Sequence, residues 1–178
     1  MKEIQSLWLM LTAVVPGIVF YGTLRIFIAI FKIDITFLIQ VDQSATLSFS
    51  ILTAIIFLHQ VVAIVLELLL MKIGFYKHSI YRLQEVFVKR YEIISSLTRE
   101  QSFHVERIFS QYLLSHNIAV ALVLNTLSTG LFIAFNLSYV ELFNIFPIAG
   151  LIILTTMSLY VSHARFDIAC RALLVHSR

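Results

Sequence analysis

The sequence predicts an all-α, polytopic membrane protein: a bundle of four transmembrane helices, with a cytosolic helical hairpin between the second and the third. Three observations predict it. Of 178 residues, 60% are hydrophobic and 13% charged, with a mean hydropathy of +0.93, whereas soluble domains are about half apolar and a quarter charged. Uncharged apolar runs recur four times, each about as long as the 20 helical residues that cross a hydrocarbon core about 30 Å thick. Lys and Arg gather on one side of those runs, as cytosolic connections do.

The spans fall at about 5–25, 45–73, 113–136 and 143–164 of a single membrane domain, 1–178. The first run is too long for a signal-peptide core and lacks a small-residue cleavage site after it, so it is read as a retained span. Pro16 and Gly17 lie in its middle, where a proline removes one backbone hydrogen bond and favours a kink. Residues 26–42 are apolar but carry Lys32 and Asp34, which suits a segment lying along the outer interface. Glu141, among Asn136, Ser138 and Asn144, marks the turn between the last two spans.

Orientation follows from the basic residues. With both termini and the central connection in the cytosol, that side receives Lys2, Lys72, Lys77, Arg82, Lys89, Arg90, Arg99, Arg107, Arg165, Arg171 and Arg178. The other side receives only Arg25 and Lys32, partly offset by Asp34 and Asp42. The expected location is a bacterial inner membrane. The net charge of +3 needs no nucleic acid, because the basic residues are interleaved with acids and border apolar runs, where anionic lipids attract them.

The connection at about 75–111 keeps helical periodicity. Ile80, Leu83, Phe87, Ile94 and Leu97 recur among Arg82, Glu85, Lys89, Arg90 and Glu92, the pattern of an amphipathic helix. Thr98 followed by Gln101 fits a capping box that restarts a helix, and Val105, Ile108, Phe109 and Tyr112 carry it into the third span. Arg82, Phe87, Arg90, Tyr91 and Arg99 are the candidate docking residues for a soluble cytosolic protein, since aromatics and arginine are enriched at protein interfaces.

Inside the spans, Thr46, Thr53, Gln60 and Glu67 stand seven apart, with Ser50 beside them. Seven residues is nearly two turns, so these groups form one polar stripe. A carboxylate at that depth needs a partner or water; His163 and Arg165, at the same end of the fourth span, are the candidates. Asn117, Ala121, Asn125 and Ser128 give the third span a polar face. Thr126, Gly130 and Ala134 make a small-residue ladder suited to close helix packing and self-association.

Catalytic signatures are missing. No Gly-rich phosphate loop, HExxH, GxSxG or paired-cysteine motif is present, and Cys170 is the only cysteine. Arg99 with His104 and Arg171 with His176 share an Arg-x4-His spacing too short to signify a ribonuclease. The chain is therefore expected to be non-enzymatic, without cofactor or metal. Its expected partners are the lipid bilayer, further copies of itself and a soluble cytosolic protein, with no nucleic acid. Small four-span proteins of this architecture occur in bacterial phage-defence and exclusion systems, an analogy of size and shape. Two alternatives compete with this reading. One is an oligomeric ion channel lined by Thr46, Thr53, Gln60 and Glu67. The other is a haem-binding anchor subunit using His116 and His163, because imidazoles at matching depth on two helices can ligate haem iron.

Overall fold

The computed structural model describes residues 2–30, 44–74, 89–135 and 145–176. These form five helices and, among the described residues, no strand: α1 (Lys2–Ile30), α2 (Ala45–Lys72), α3 (Arg90–Ser96), α4 (Arg99–Phe135) and α5 (Ile145–His176). Arg82 and Phe87, the outer segment from residue 31 onward and the turn at 136–144 lie outside the described residues.

Four of the helices, all but α3, are long and apolar enough to cross a membrane. Their outward faces bear large exposed apolar side chains, including Phe49, Phe57, Leu58, Phe146 and Tyr160. Such continuous apolar surface is costly in water and at home in lipid, where each backbone polar group must be satisfied within its own helix.

Three of the helices outrun the spans read from hydropathy, while α2 matches its own. α1 runs on to Ile30, into the segment assigned to the outer interface. α4 has 37 residues and α5 has 32; at 1.5 Å per residue they extend about 55 Å and about 48 Å, well beyond a hydrocarbon core of about 30 Å. Neither meets a proline or glycine that would stop it where apolarity fades, because the sequence there turns amphipathic rather than loop-like.

That excess length is packed. Val105, Phe109 and Tyr112 of α4 bury against Phe166, Ala169, Cys170 and Leu173 of α5, and Ile93, Ile94 and Leu97 of α3 close over them. The hairpin arm therefore has a third helix to pack on, the continuation of α5, which the sequence reading treated as a tail. Between α3 and α4 the backbone N–H of Thr98 donates to Gln101 Oε1 at 3.2 Å and the Thr98 hydroxyl donates to the same oxygen at 2.9 Å. The glutamine half of the capping box is thus formed, while the threonine hydroxyl turns to the glutamine side chain instead of its backbone.

Toward the other end, Phe27 of α1, Leu122 of α4 and Leu151 of α5 form a second apolar cluster. α4 is the central element, packed against α5, α1, α2 and α3. Paired residues fix the directions. Thr12 meets Asn117 and Phe20 meets Asn125, so α1 and α4 run parallel. Ala13 meets Gln60 while Gly17 meets Ile56, so α2 runs antiparallel to α1. A Cβ on Gly17 would stand 2.6 Å from Ile56 Cγ1 and 3.1 Å from its Cα; only glycine lets these two helices approach so closely.

Candidate functional site

The candidate site is a buried polar network joining α1, α2 and α4, and its first cause is Pro16. A proline has no N–H, so the carbonyl four residues earlier, Thr12, loses its helical donor. Asn117 of α4 replaces it: its amide donates to the Thr12 carbonyl at 2.8 Å. The same amide reaches Gln60 Oε1 at 3.4 Å, and Gln60 in turn donates to the Ala13 carbonyl at 3.2 Å. Three helices are thereby tied around the weakened turn of α1, and the contact at Gly17 brings Gln60 within reach.

One turn further along α2, His116 Nε2 lies 3.1 Å from the Ala63 carbonyl. A carbonyl only accepts, so this nitrogen carries the proton. Below it, the Tyr112 hydroxyl donates to Glu67 Oε1 at 2.7 Å. Tyr112 is wholly buried, its ring stacked at a tilt on His116 and Phe166 and edge-on to Phe109. A hydrogen bond to a carboxylate contributes about 1.5–3 kcal/mol. Tyr112 belongs both to this network and to the apolar core shared by α3, α4 and α5, so it joins the two mechanically.

Glu67 thus has a different partner from those the sequence nominated. Arg165 donates instead to Gln111 Oε1 at 2.7 Å, linking α5 to α4 near the surface, and His163 is exposed. In the sequence Tyr112 continues the amphipathic face that leads into the third span, and a phenol carries no charge that would mark it as the partner of a carboxylate. The Thr12 carbonyl was also discoverable, since any mid-helix proline orphans one identifiable acceptor.

The heptad stripe on α2 divides. Gln60 and Glu67 enter the network, while Thr46, Ser50 and Thr53 are exposed, and the Thr53 hydroxyl donates to its own helix at the Phe49 carbonyl, 2.8 Å away. The ladder on α4 divides as well. Thr126 stands 2.8 Å, oxygen to oxygen, from Thr155 of α5, whereas Gly130 and Ala134 are exposed, with open space where a Gly130 Cβ would be. Of the docking residues within the described set, Arg99 is exposed and the Arg90 guanidinium lies over the Phe109 ring, 5.5 Å from its centroid; Tyr91 lies in α3.

Among the described residues no three His, Cys, Asp or Glu side chains stand together as metal ligands. His116 is buried with one nitrogen on a carbonyl, and His163 is exposed. Comparison with protein-family models, curated proteins and solved structures finds no match for this chain.

Proposed function

We propose that the chain is a non-enzymatic integral membrane subunit of a bacterial inner membrane, with both termini in the cytosol. It self-associates through its spans and presents the α3, α4 and α5 end to a soluble partner. The observation that carries this reading is that α4 and α5 outrun a bilayer together and end in a packed three-helix head, tied to the membrane interior by the Tyr112–Glu67 bond. A helix end with its own apolar core is a stable platform, and the basic residues Arg90 of α3 and Arg99 of α4, with Arg82 preceding them in the sequence, would steer an acidic surface toward it. Self-association is supported by Gly130 and Ala134, small and outward-facing on α4, since small residues allow close helix approach in lipid.

Charge reversal of Arg82 and Arg90 together tests the docking role. Loss of a co-purifying protein with membrane insertion intact supports it; unchanged recovery, also after Phe87→Ala, would sink it. Mass measurement in several mild detergents and in nanodiscs tests self-association, and a monomer throughout counts against it. A channel is the second reading, favoured by the outward-facing hydroxyls of Thr46, Ser50 and Thr53. It differs in requiring conductance from the purified protein in planar bilayers.

A further inference from the structure

α4 and α5 leave their apolar runs close to one height. Arg107 is the last charged residue of α4 before the run 108–135, which holds no Lys, Arg, Asp or Glu, and Arg165 is the first of α5 after the equally uncharged run 145–164. The two helices are antiparallel, since Thr126 meets Thr155 and Gln111 meets Arg165. Gln111 follows Arg107 by one turn on the same face of α4, about 6 Å along its axis. Two guanidinium groups therefore flank one amide where both helices pass from apolar to charged surface.

Both arginines are exposed, and among the described residues neither meets a carboxylate within ion-pair distance. Arg165 Nη1 donates at 2.7 Å to Gln111 Oε1, a neutral acceptor. Asp167, two residues on, is held by Arg171 at 2.8 Å. With its oxygen on Arg165, the Gln111 amide points its nitrogen elsewhere; that nitrogen makes no bond among the described residues and has two protons to donate. Toward the apolar run, Val161 and Leu154 stand four and eleven residues before Arg165 on its face of α5, and both are exposed.

We propose that Arg107, Gln111 and Arg165 form a binding site for the phosphate of an anionic lipid headgroup. Guanidinium groups pair with phosphate oxygens through two parallel hydrogen bonds, and the Gln111 amide adds a further donor. Leu154 and Val161 offer an acyl chain the strip below the phosphate. A soluble anion meets the donors and leaves that strip unused; a lipid uses both. A zwitterionic lipid brings its own ammonium group, which the arginine pair repels. The site goes beyond the docking role of the head. It rests on the reading of the long helices as membrane spans and not on what the head binds.

Native mass spectrometry of the full chain in mild detergent, titrated with phosphatidylglycerol or with phosphatidylcholine of the same acyl chains, tests it. Phosphatidylglycerol should bind at least about tenfold more tightly, and Arg107→Gln or Arg165→Gln should each weaken it about fivefold. Lys89→Gln removes the same charge from the exposed start of α3 and should change it by less than about twofold. Equal binding of the two lipids overturns the proposal, and the unsubstituted chain gives that answer even if a variant fails to fold. Folded arginine variants that bind no more weakly than Lys89→Gln overturn it as well. Inorganic phosphate, compared with chloride at matched ionic strength, should leave the bound lipid in place; displacement of the lipid by a phosphate adduct assigns the donors to a soluble anion and overturns the lipid. A chain that stays dispersed without detergent defeats the membrane reading instead.

Discussion

The two halves of α2 carry the same kind of heptad-spaced polar residue and use it in opposite ways. In the first half Thr46, Ser50 and Thr53 face outward, and Thr53 satisfies its hydroxyl on its own helix. In the second half Gln60 and Glu67 face inward and bond to α1 and α4. The difference lies in side-chain chemistry. A hydroxyl carries a single proton, and the carbonyl one turn back can accept it. An amide or a carboxylate has more bonding capacity than its own helix can meet, so it draws in a second helix. Polar residues at helical spacing therefore do not by themselves define a pore or an interface; along α2 the groups that bond across helices are the amide and the carboxylate.

The largest effect that should sharpen this contrast is at Glu67. Glu67→Ala leaves the buried Tyr112 hydroxyl without its acceptor and should cost about 2–3 kcal/mol, read from thermal or steric-trap unfolding in detergent. Glu67→Gln keeps an acceptor and should cost about half as much, while Glu92→Ala on the exposed face of α3 should stay within about 0.5 kcal/mol. Equal losses at Glu67 and Glu92 would mean that the bond from Tyr112 to Glu67 adds nothing to stability.

Next in size is the approach of α1 to α2. Gly17→Ala forces a methyl against Ile56 and should cost about 1–3 kcal/mol, the usual penalty for overpacking. A neutral result would mean that α2 can retreat without loss, and that Gln60 does not depend on this contact.

Asn117→Leu should cost about 1 kcal/mol, in the range measured for interhelical hydrogen bonds in membranes. A double-mutant cycle tests the reason. In a Pro16→Ala background residue 16 regains its N–H, the Thr12 carbonyl recovers a helical donor, and the cost of Asn117→Leu should fall by half or more. Strict additivity would refute the substitution of one donor for the other. At the bottom of the scale, Thr53→Val should lie within about 0.5 kcal/mol of neutrality; a loss above 1 kcal/mol in the oligomeric state alone would show that the outward hydroxyls meet a second subunit.

The helices were legible in the sequence because apolar runs of span length have few other uses. The start of the fourth helix was legible too, because the Thr98 and Gln101 pair marks a cap and the helical spacing after it runs unbroken into the third span. The far end of α5 was not: Phe166, Ala169, Cys170 and Leu173 keep a helical apolar face among Arg165, Asp167 and Arg171, and hydropathy alone cannot distinguish an end from a projection. Within the site, Glu67 stood out by depth and Asn117 by its face on the third span. Their partners did not, because a phenol and a backbone carbonyl leave no charge pattern to search for.

Pro16 also sets an order of events during synthesis. The residue that completes the Thr12 carbonyl lies 105 positions later in the chain, and the residue that caps the Phe20 carbonyl lies 105 positions after that one too. At a ribosomal pace of about 5–20 residues per second, α1 waits roughly 5 to 20 s for α4 to emerge. Throughout that interval the first helix is an unfinished part, with a bare acceptor open to water, to lipid headgroups or to an insertion factor. Its final placement becomes permanent only when α4 arrives, so a ribosome stalled before residue 117 would leave behind a fragment that carries its own exposed defect.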